Sequence, residues 1–395
     1  MAGAVGRRGR DGVKILVLCY EYPPIGGGGG RVAAQVAAGL VRRGHEVRVL
    51  TAGMRHIPRR EMRDRVKVVR PQSFRRREDT CSVPEMALYL ASNLFPVLRE
   101  ARHWRPDVIH AHFAVPTGPL ALAVKVFAGI PYVLTAHLGD VPGGVPEQTD
   151  HLFRLLGPFV IPVWRGARRV TAVSRFVAEL ASKAYGVTPI VIPNGVRQIA
   201  HKQLRVHSPR RIVMAGRLSI QKNPLLAIEA LALIKEMDWS FDVVGDGPLG
   251  SEMRALAEQL GIGERVTQHG WISGVQVAQL MAEADILLIS SLHEGLPMVA
   301  IEALQHGLAI VGSRIAGMQD IVEVGINGFL CALSPAVFAQ RLRELLADEE
   351  MLERMRRASL ELAGDFDLEK TVTAYESVLE ESRLRRPEKG GSSGC

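Results

Sequence analysis

The chain has 395 residues, of which 47% are apolar and 5% aromatic, with a formal net charge of +8. That length points to two domains with packed cores, and the charge points to anionic partners such as a nucleotide or a lipid headgroup; nucleic acid is disfavoured by the scarcity of aromatics and the lack of any zinc-knuckle or RNP-like pattern. The four cysteines, Cys19, Cys81, Cys331 and Cys395, are scattered without a C-x-x-C, which argues against a zinc site or a disulfide framework and fits a reducing compartment.

The start, Ala2 to Gly12, is small and basic, lacks a signal-peptide core and reads as disordered. Lys14 to Cys19 is an apolar run of strand length, Gly26 to Gly30 a glycine loop, and Arg31 to Leu40 a helix in period. Bare backbone at such a turn can approach a ligand closely, and helix N-terminal N–H groups favour anions; a flexible surface turn is the alternative. The loop does not match a P-loop and satisfies G-x-G-x-x-G only loosely. Further strands are expected at Glu46 to Thr51, Val66 to Val69, Pro106 to His112, Tyr132 to His137, Arg169 to Ser174 and Ile190 to Pro193. Helices are expected over Gly118 to Ala128 and over Val83 to Trp104, the latter interrupted at Pro96. The longest apolar stretch, Pro119 to Leu134, is cut by Lys125, Gly129 and Pro131, so no spanning segment is expected.

A polar, basic linker over 197–211 precedes a second series of strands at Ile212 to Ala215, Phe241 to Val244, Val266 to His269, Ile286 to Ser290 and Ala309 to Gly312, with helices between them. Leu333 to Ala363 and Leu368 to Leu384 read as amphipathic helices, and 385–395 as a disordered tail. Strands separated by helices imply two parallel, doubly wound sheets, an α/β fold with domains over 13–196 and 212–365 and a last helix over 366–384.

The polar residues at the strand ends carry the chemistry. His110 and His112 end one strand and His137 the next, with Asp140 beyond; Arg217 follows another, with Lys222 five residues on; Glu294-Gly-Leu-Pro297 precedes a helix bearing Glu302. Together with Tyr22-Pro-Pro-Ile-Gly-Gly-Gly, Thr135-Ala-His137, Val173-Ser174, Ile192-Pro-Asn-Gly-Val196, Ala215-Gly-Arg-Leu218, Gln221-Lys-Asn-Pro224, Val244-Gly-Asp-Gly-Pro248 and Glu294-x7-Glu302, the chain resembles the retaining family 4 glycosyltransferases of GT-B fold over roughly residues 14 to 380. Thr135 to Pro142 with Pro146 to Asp150 is also similar to members that build cell-surface polysaccharide.

The resemblance implies two Rossmann-like domains facing across a cleft, a C-terminal helix crossing back, and a nucleotide-sugar (UDP- or GDP-sugar) substrate with no metal and no cofactor. It implies catalytic roles for His137, Arg217, Lys222 and Glu294. Donor binding would fall to Gly26, Gly27, Gly28, Arg217, Lys222, Ile272, Glu294, Gly295, Leu296, Pro297, Met298, Val299 and Glu302. In that scheme Arg217 and Lys222 meet the charge that grows on the leaving diphosphate, the Met298 and Val299 amides contact phosphate, and Glu302 holds the ribose. Glu294 holds the sugar hydroxyls and His137 the O6 edge, and no covalent nucleophile is assigned. Leu138 and Pro297 depart from the common pattern at positions that line the sugar pocket by analogy. Asp365-Phe-Asp367 has a metal-binding D-x-D form but sits before the last helix, where N-capping is expected.

The segment Arg55 to Arg77 is dense in arginine. It reads as a solvated loop, as a contact for anionic lipid through Arg59, Arg60, Arg63, Arg75, Arg76 and Arg77, or as a contact for an anionic acceptor. The expected function is sugar transfer to a lipid-linked or polysaccharide acceptor, at the cytoplasmic face of the membrane. The alternatives are a sugar-nucleotide epimerase of the same fold and a non-catalytic sugar-nucleotide-binding protein.

Overall fold

A computed structural model describes residues 12–78, 80–199 and 204–384. Both ends expected to be disordered, apart from Gly12, and residues 200–203 of the expected linker lie outside the described residues. The chain forms two compact units. The first holds residues 1–173, 177–192 and 371–395, and the second holds 174–176 and 193–370.

The first unit is built on strands β1 (Lys14–Cys19), β2 (Glu46–Thr51), β3 (Arg60–Arg63), β4 (Val66–Val69), β5 (Val108–His112), β6 (Tyr132–Ala136), β7 (Arg169–Ala172) and β8 (Ile190–Val191). Their order across the sheet is β3-β4-β2-β1-β5-β6-β7-β8, parallel throughout except for the β3–β4 hairpin. That hairpin lies inside the arginine-rich segment, where only its second strand was expected: β3, Arg-Glu-Met-Arg, has no apolar alternation to announce it. Strands β1, β5 and β6 are almost wholly buried, as expected for a parallel sheet covered on both faces.

The second unit carries β9 (Arg210–Ala215), β10 (Trp239–Val244), β11 (Val266–Gly270), β12 (Ile286–Ile289), β13 (Ala309–Ser313) and β14 (Gly328–Cys331) in the order β11-β10-β9-β12-β13-β14. Counted within the unit this is 3-2-1-4-5-6, the doubly wound order of dinucleotide-binding folds. In such a sheet the order reverses between the first and fourth strands, and ligands sit beyond the carboxyl ends there. The reversal falls between β9 and β12 here, and between β1 and β5 in the first unit.

Several elements differ from the sequence reading for identifiable reasons. The last three glycines of the run form the first turn of helix Gly28–Arg42 despite their low propensity, and its first bond runs from the Arg31 N–H to the Gly27 carbonyl at 3.2 Å. Helix Val83–Trp104 runs unbroken through Pro96; Tyr89, Asn93, Val97, Ala101 and Trp104 are its buried residues, and their packing holds the helical register across the missing N–H. Two prolines, Pro158 and Pro162, hide helix Pro146–Gly166 in the sequence. The expected helix over 333–363 divides into Pro335–Ala347 and Glu349–Leu362, split at Asp348, whose carboxylate caps the second through the Met351 N–H at 2.8 Å. Asp367 likewise accepts from the Glu369 N–H at 3.0 Å, at the start of the last helix, Leu368–Ser382.

That last helix begins in the second unit and ends in the first. Its docking is specific. Val372 fills the space left by Gly39, where an added Cβ would come within 2.4 Å of it. Glu376 accepts from Arg43 at 2.7 Å and pairs with His45 Nε2 at 2.9 Å. His45 Nδ1 in turn accepts from the Val13 N–H at 3.2 Å, so the Nε2 proton points at the carboxylate. His45, Glu376 and Glu380 are close enough to hold a metal ion, but the Arg43 guanidinium and the His45 proton already satisfy Glu376.

Candidate active site

In the second unit the site grows from two backbone loops laid against each other. The chain leaves β9 through Gly216 (φ +148°) and leaves β10 through Gly245 (φ +123°), both in conformations that favour glycine. A Cβ on Gly245 would lie 2.0 Å from the Gly216 carbonyl, and one on Gly247 would lie 2.4 Å from that of Leu218. Gly216 N–H donates to Val244 O at 2.9 Å and Leu218 N–H to Asp246 O at 3.0 Å. The two glycines of Gly-Asp-Gly-Pro are therefore needed for close packing, and this packing fixes where Arg217 leaves the sheet.

Lys222 sits in the short 3-10 turn Ile220–Lys222. Its Nζ donates to Glu294 Oε1 at 2.5 Å, and the Ser291 hydroxyl donates to the same oxygen at 2.7 Å. The Ser290 hydroxyl holds the turn by donating to the Lys222 and Asn223 carbonyls, and Leu292 N–H donates to Gln221 O at 2.8 Å. The β9 and β12 loops are thus stitched together at the point where strand order reverses. Glu294 is 8% exposed, while the Lys222 side chain keeps 22% of its surface. The carboxylate is thus held by two donors, and the lysine side chain remains partly exposed.

Gly295, Leu296 and Pro297 carry the chain from Glu294 into helix Met298–Gln305. The Asn194 amide donates to the Leu296 carbonyl at 3.3 Å, which gives Pro-Asn-Gly its structural task. Gly317 packs flat beneath, its missing Cβ lying 2.1 Å from the Glu294 carbonyl. In the helix, the Pro297 carbonyl takes the Ala300 and Ile301 N–H groups, so Met298 and Val299 are its first two positions and have no intrahelical acceptor. Glu302 lies one turn on, on the Met298 face, and is half-buried. Ile272 follows β11, half-buried beside the exposed Trp271.

In the first unit, the end of β5 and the end of β6 bring three histidines together. His112 Nδ1 lies 3.3 Å from His137 Nε2, and the His110 and His112 rings are 4.1 Å apart. His110 Nε2 meets the Thr135 hydroxyl at 2.8 Å, and Thr135 meets Thr171 at 2.8 Å. Tyr375, from the C-terminal helix, lies 5.0 Å from the His110 ring. Burial lowers all three histidines, His110 to about 3, His137 to about 4 and His112 well below its usual value, so the cluster is neutral near pH 7. Asp140 is pushed up to about 8, chiefly by burial, against the backbone N–H groups of His137, Val115 and Ala114 that favour its charge. Phe113 stacks on His137 at 4.2 Å. Gly29, in the first turn of its helix, faces this pair: a Cβ there would lie 2.5 Å from Phe113 Cζ and 3.3 Å from His137 Nδ1. Gly27 and the sterically crowded Gly26 (φ +93°) precede it.

Within the units, then, Lys222 and Glu294 are joined, Met298, Val299 and Glu302 share one helix, and His137 lies against Gly29. Sequence reasoning passed over Ser291 and Phe113, which position Glu294 and His137; a serine three residues before a glutamate and a phenylalanine after His-Ala-His carry no distinctive pattern. Among the membrane candidates, Arg75 is a correction. Its side chain is 1% exposed and donates to the Arg77, Tyr20 and Glu78 carbonyls, so it braces the loop from within and is not available to a surface. Arg59, Arg60, Arg76 and Arg77 are exposed and Arg63 half-exposed.

Two families match in tandem. Glycosyltransferase Family 4 covers residues 26–198, and Glycosyl transferases group 1 covers residues 196–361. Among curated relatives, N-acetyl-alpha-D-glucosaminyl L-malate synthase of Bacillus anthracis is 26% identical over 93% of this chain and 96% of its own length. The 2-deoxystreptamine N-acetyl-D-glucosaminyltransferase of Streptomyces fradiae is 30% identical over 72% of this chain and 73% of its own. Among solved structures, sucrose-phosphate synthase of Thermosynechococcus elongatus superposes with a TM-score of 0.80 at 19% identity, covering 93% of this chain and 98% of that one. An Anabaena protein in complex with UDP-glucose superposes at 0.74 with 21% identity, covering 93% and 100%. The chain belongs to the group 1/family 4 glycosyltransferases, enzymes of GT-B fold that use nucleotide-sugar donors.

Proposed function

We propose that this enzyme transfers a hexosyl or N-acetylhexosaminyl group from a UDP-sugar, with retention and without a metal ion, to a lipid-linked or polysaccharide acceptor. The observation that carries the reading is the Lys222–Glu294 pair beside the first turn of helix Met298–Gln305. Lysine, Arg217 and helix N–H groups are suited to the charge that grows on a departing diphosphate, and a fixed carboxylate is suited to sugar hydroxyls. The UDP preference is supported by the Anabaena neighbour's bound UDP-glucose and by the N-acetylglucosaminyl names of both curated relatives.

The acceptor reading is supported by exposed apolar residues of the first unit. No described helix is long and apolar enough to cross a membrane. Yet Met62, Phe74, Val83, Leu88, Leu94 and Phe95 are all exposed along the β3–β4 hairpin, the loop after it and helix Val83–Trp104. Exposed apolar side chains among arginines suit a membrane surface with anionic headgroups. The test is donor turnover in excess EDTA with NMR of the product anomer. Transfer from UDP-sugar with the α configuration kept is expected. Activity lost in EDTA and restored by Mn²⁺ or Mg²⁺, or an inverted product, overturns the reading.

A further inference from the structure

Glu294 meets both of its side-chain donors through one oxygen. Lys222 Nζ and the Ser291 hydroxyl reach Oε1 at 2.5 and 2.7 Å. Oε2 has no protein partner among the described residues, and it is not one of the covered polar atoms left without one. It is therefore the oxygen that stays accessible in a residue that is otherwise buried. Ser291 is itself buried, in the loop between β12 and helix Met298–Gln305. Its neighbour Ser290 donates instead to the Lys222 and Asn223 carbonyls, at 3.1 and 2.7 Å. One serine thus holds the main chain of the lysine turn, and the next holds the carboxylate that the lysine meets.

The last torsion of a glutamate side chain is broad and two-fold, so a carboxylate held by one donor can turn and exchange its oxygens. Lysine alone does little to stop this, because an ammonium is a point charge on a flexible stem with three rotatable donors. A short hydroxyl on a fixed loop is different. It approaches Oε1 from its own direction, and two donors on one oxygen define the plane of the carboxylate. On the reading above that Glu294 holds sugar hydroxyls, we infer that Ser291 is a positioning residue that sets donor specificity: it keeps Oε1 turned inward, so that Oε2 is the one acceptor offered to the transferred sugar. A single oriented oxygen separates an equatorial hydroxyl from an axial one, because the wrong epimer leaves the acceptor unpaired. With Ser291 removed, either oxygen can face the sugar over a range of angles, and that discrimination is lost while the lysine keeps its charge for the diphosphate.

The experiment measures donor hydrolysis by the whole chain with two pairs of C4 epimers, UDP-glucose against UDP-galactose and UDP-N-acetylglucosamine against UDP-N-acetylgalactosamine, together with calorimetry of free UDP. Wild type is expected to prefer one epimer of the faster pair by about tenfold or more in kcat/KM. Ser291→Ala is expected to narrow that ratio to about threefold or less, through a lower kcat for the preferred epimer. Its affinity for free UDP is expected to stay within about twofold of wild type, which also shows that the variant is folded. Ser291→Cys, which keeps a weaker donor, is expected to fall between the two. An epimer ratio unchanged in Ser291→Ala, or a loss of UDP affinity as large as the loss in kcat/KM, overturns the role of Ser291 alone. Hydrolysis of none of the four donors by wild type, or equal rates within both pairs, overturns the sugar-holding role of Glu294 and the role of Ser291 with it.

Discussion

Lys222 and Glu294 stand 72 positions apart in sequence, yet Nζ and Oε1 meet at 2.5 Å. Each comes from the loop after a strand, and those strands, β9 and β12, are neighbours only because the sheet reverses its order there. The pairing binds the proposed phosphate ligand to the proposed sugar ligand. The two substitutions are not equivalent: without Glu294 the lysine keeps its charge near water, whereas without Lys222 a buried carboxylate loses its counter-ion.

The two carboxylates should separate in calorimetry. Glu302→Ala should weaken binding of the free nucleoside diphosphate about tenfold, the loss of one charged hydrogen-bonding group. Glu294→Ala should leave that affinity within about twofold while reducing turnover about a hundredfold or more. Equal losses of diphosphate affinity would show the roles to be misassigned.

Gly27 and Gly29 test the glycine turn differently. A Cβ on Gly27 meets nothing within 4 Å, so Gly27→Ala should leave stability within about 1 kcal/mol. Turnover should nevertheless fall about tenfold if the turn meets the donor phosphates. Gly29→Ala drives a methyl into Phe113, which stacks on His137, so both stability and turnover should fall, the former by about 1–3 kcal/mol. Full activity in Gly27→Ala would remove the turn from the donor site.

What was legible in the sequence was mostly what a strand end must display. His112, His137, Arg217 and Glu294 each follow an apolar run, and the runs alone announce a parallel sheet. Illegible were features decided by tertiary packing. Pro96, Pro158 and Pro162 argue locally against helices that buried faces nevertheless hold together. Arg75 looks like its exposed neighbours in sequence, and only the carbonyls that surround it distinguish it. Gly-Asp-Gly-Pro entered only as a family motif, and only the packed backbone shows that its glycines answer to the neighbouring loop.

Asp140 should give the stability curve a distinctive slope. Its carboxyl titrates at about 8 in the folded protein against an ordinary value of 3.8, so between these values the folded state holds the proton more tightly. Its contribution is therefore fully present below about pH 4 and lost as pH rises towards 8. Asp140→Asn removes this dependence and keeps an oxygen for the His137 N–H. The variant should gain on wild type by about 1–2 kcal/mol between pH 6 and 8, followed by chemical denaturation at each pH. A difference that is flat over that range would mean the carboxylate is ionised throughout.

The membrane reading turns on five arginines rather than six. Arg59, Arg60, Arg63, Arg76 and Arg77 retain exposed surface, and each basic group near an anionic headgroup is worth roughly 1 kcal/mol. That attraction decays over a Debye length of about 8 Å at physiological salt, so binding should be strong at low salt and lost at high salt. Changing the five to Ser should abolish sedimentation with phosphatidylglycerol vesicles and leave donor hydrolysis intact, since Arg217, Lys222, Glu294 and Glu302 lie in the other unit. Arg75→Ser should behave otherwise: it removes hydrogen bonds to three carbonyls from a buried site, so melting should fall by about 2 kcal/mol or more. Phe95→Ser, 73% exposed in wild type, should weaken vesicle binding without a stability cost. Indifference of the wild type to anionic vesicles at low salt would make the face an ordinary solvated surface and the acceptor a soluble molecule.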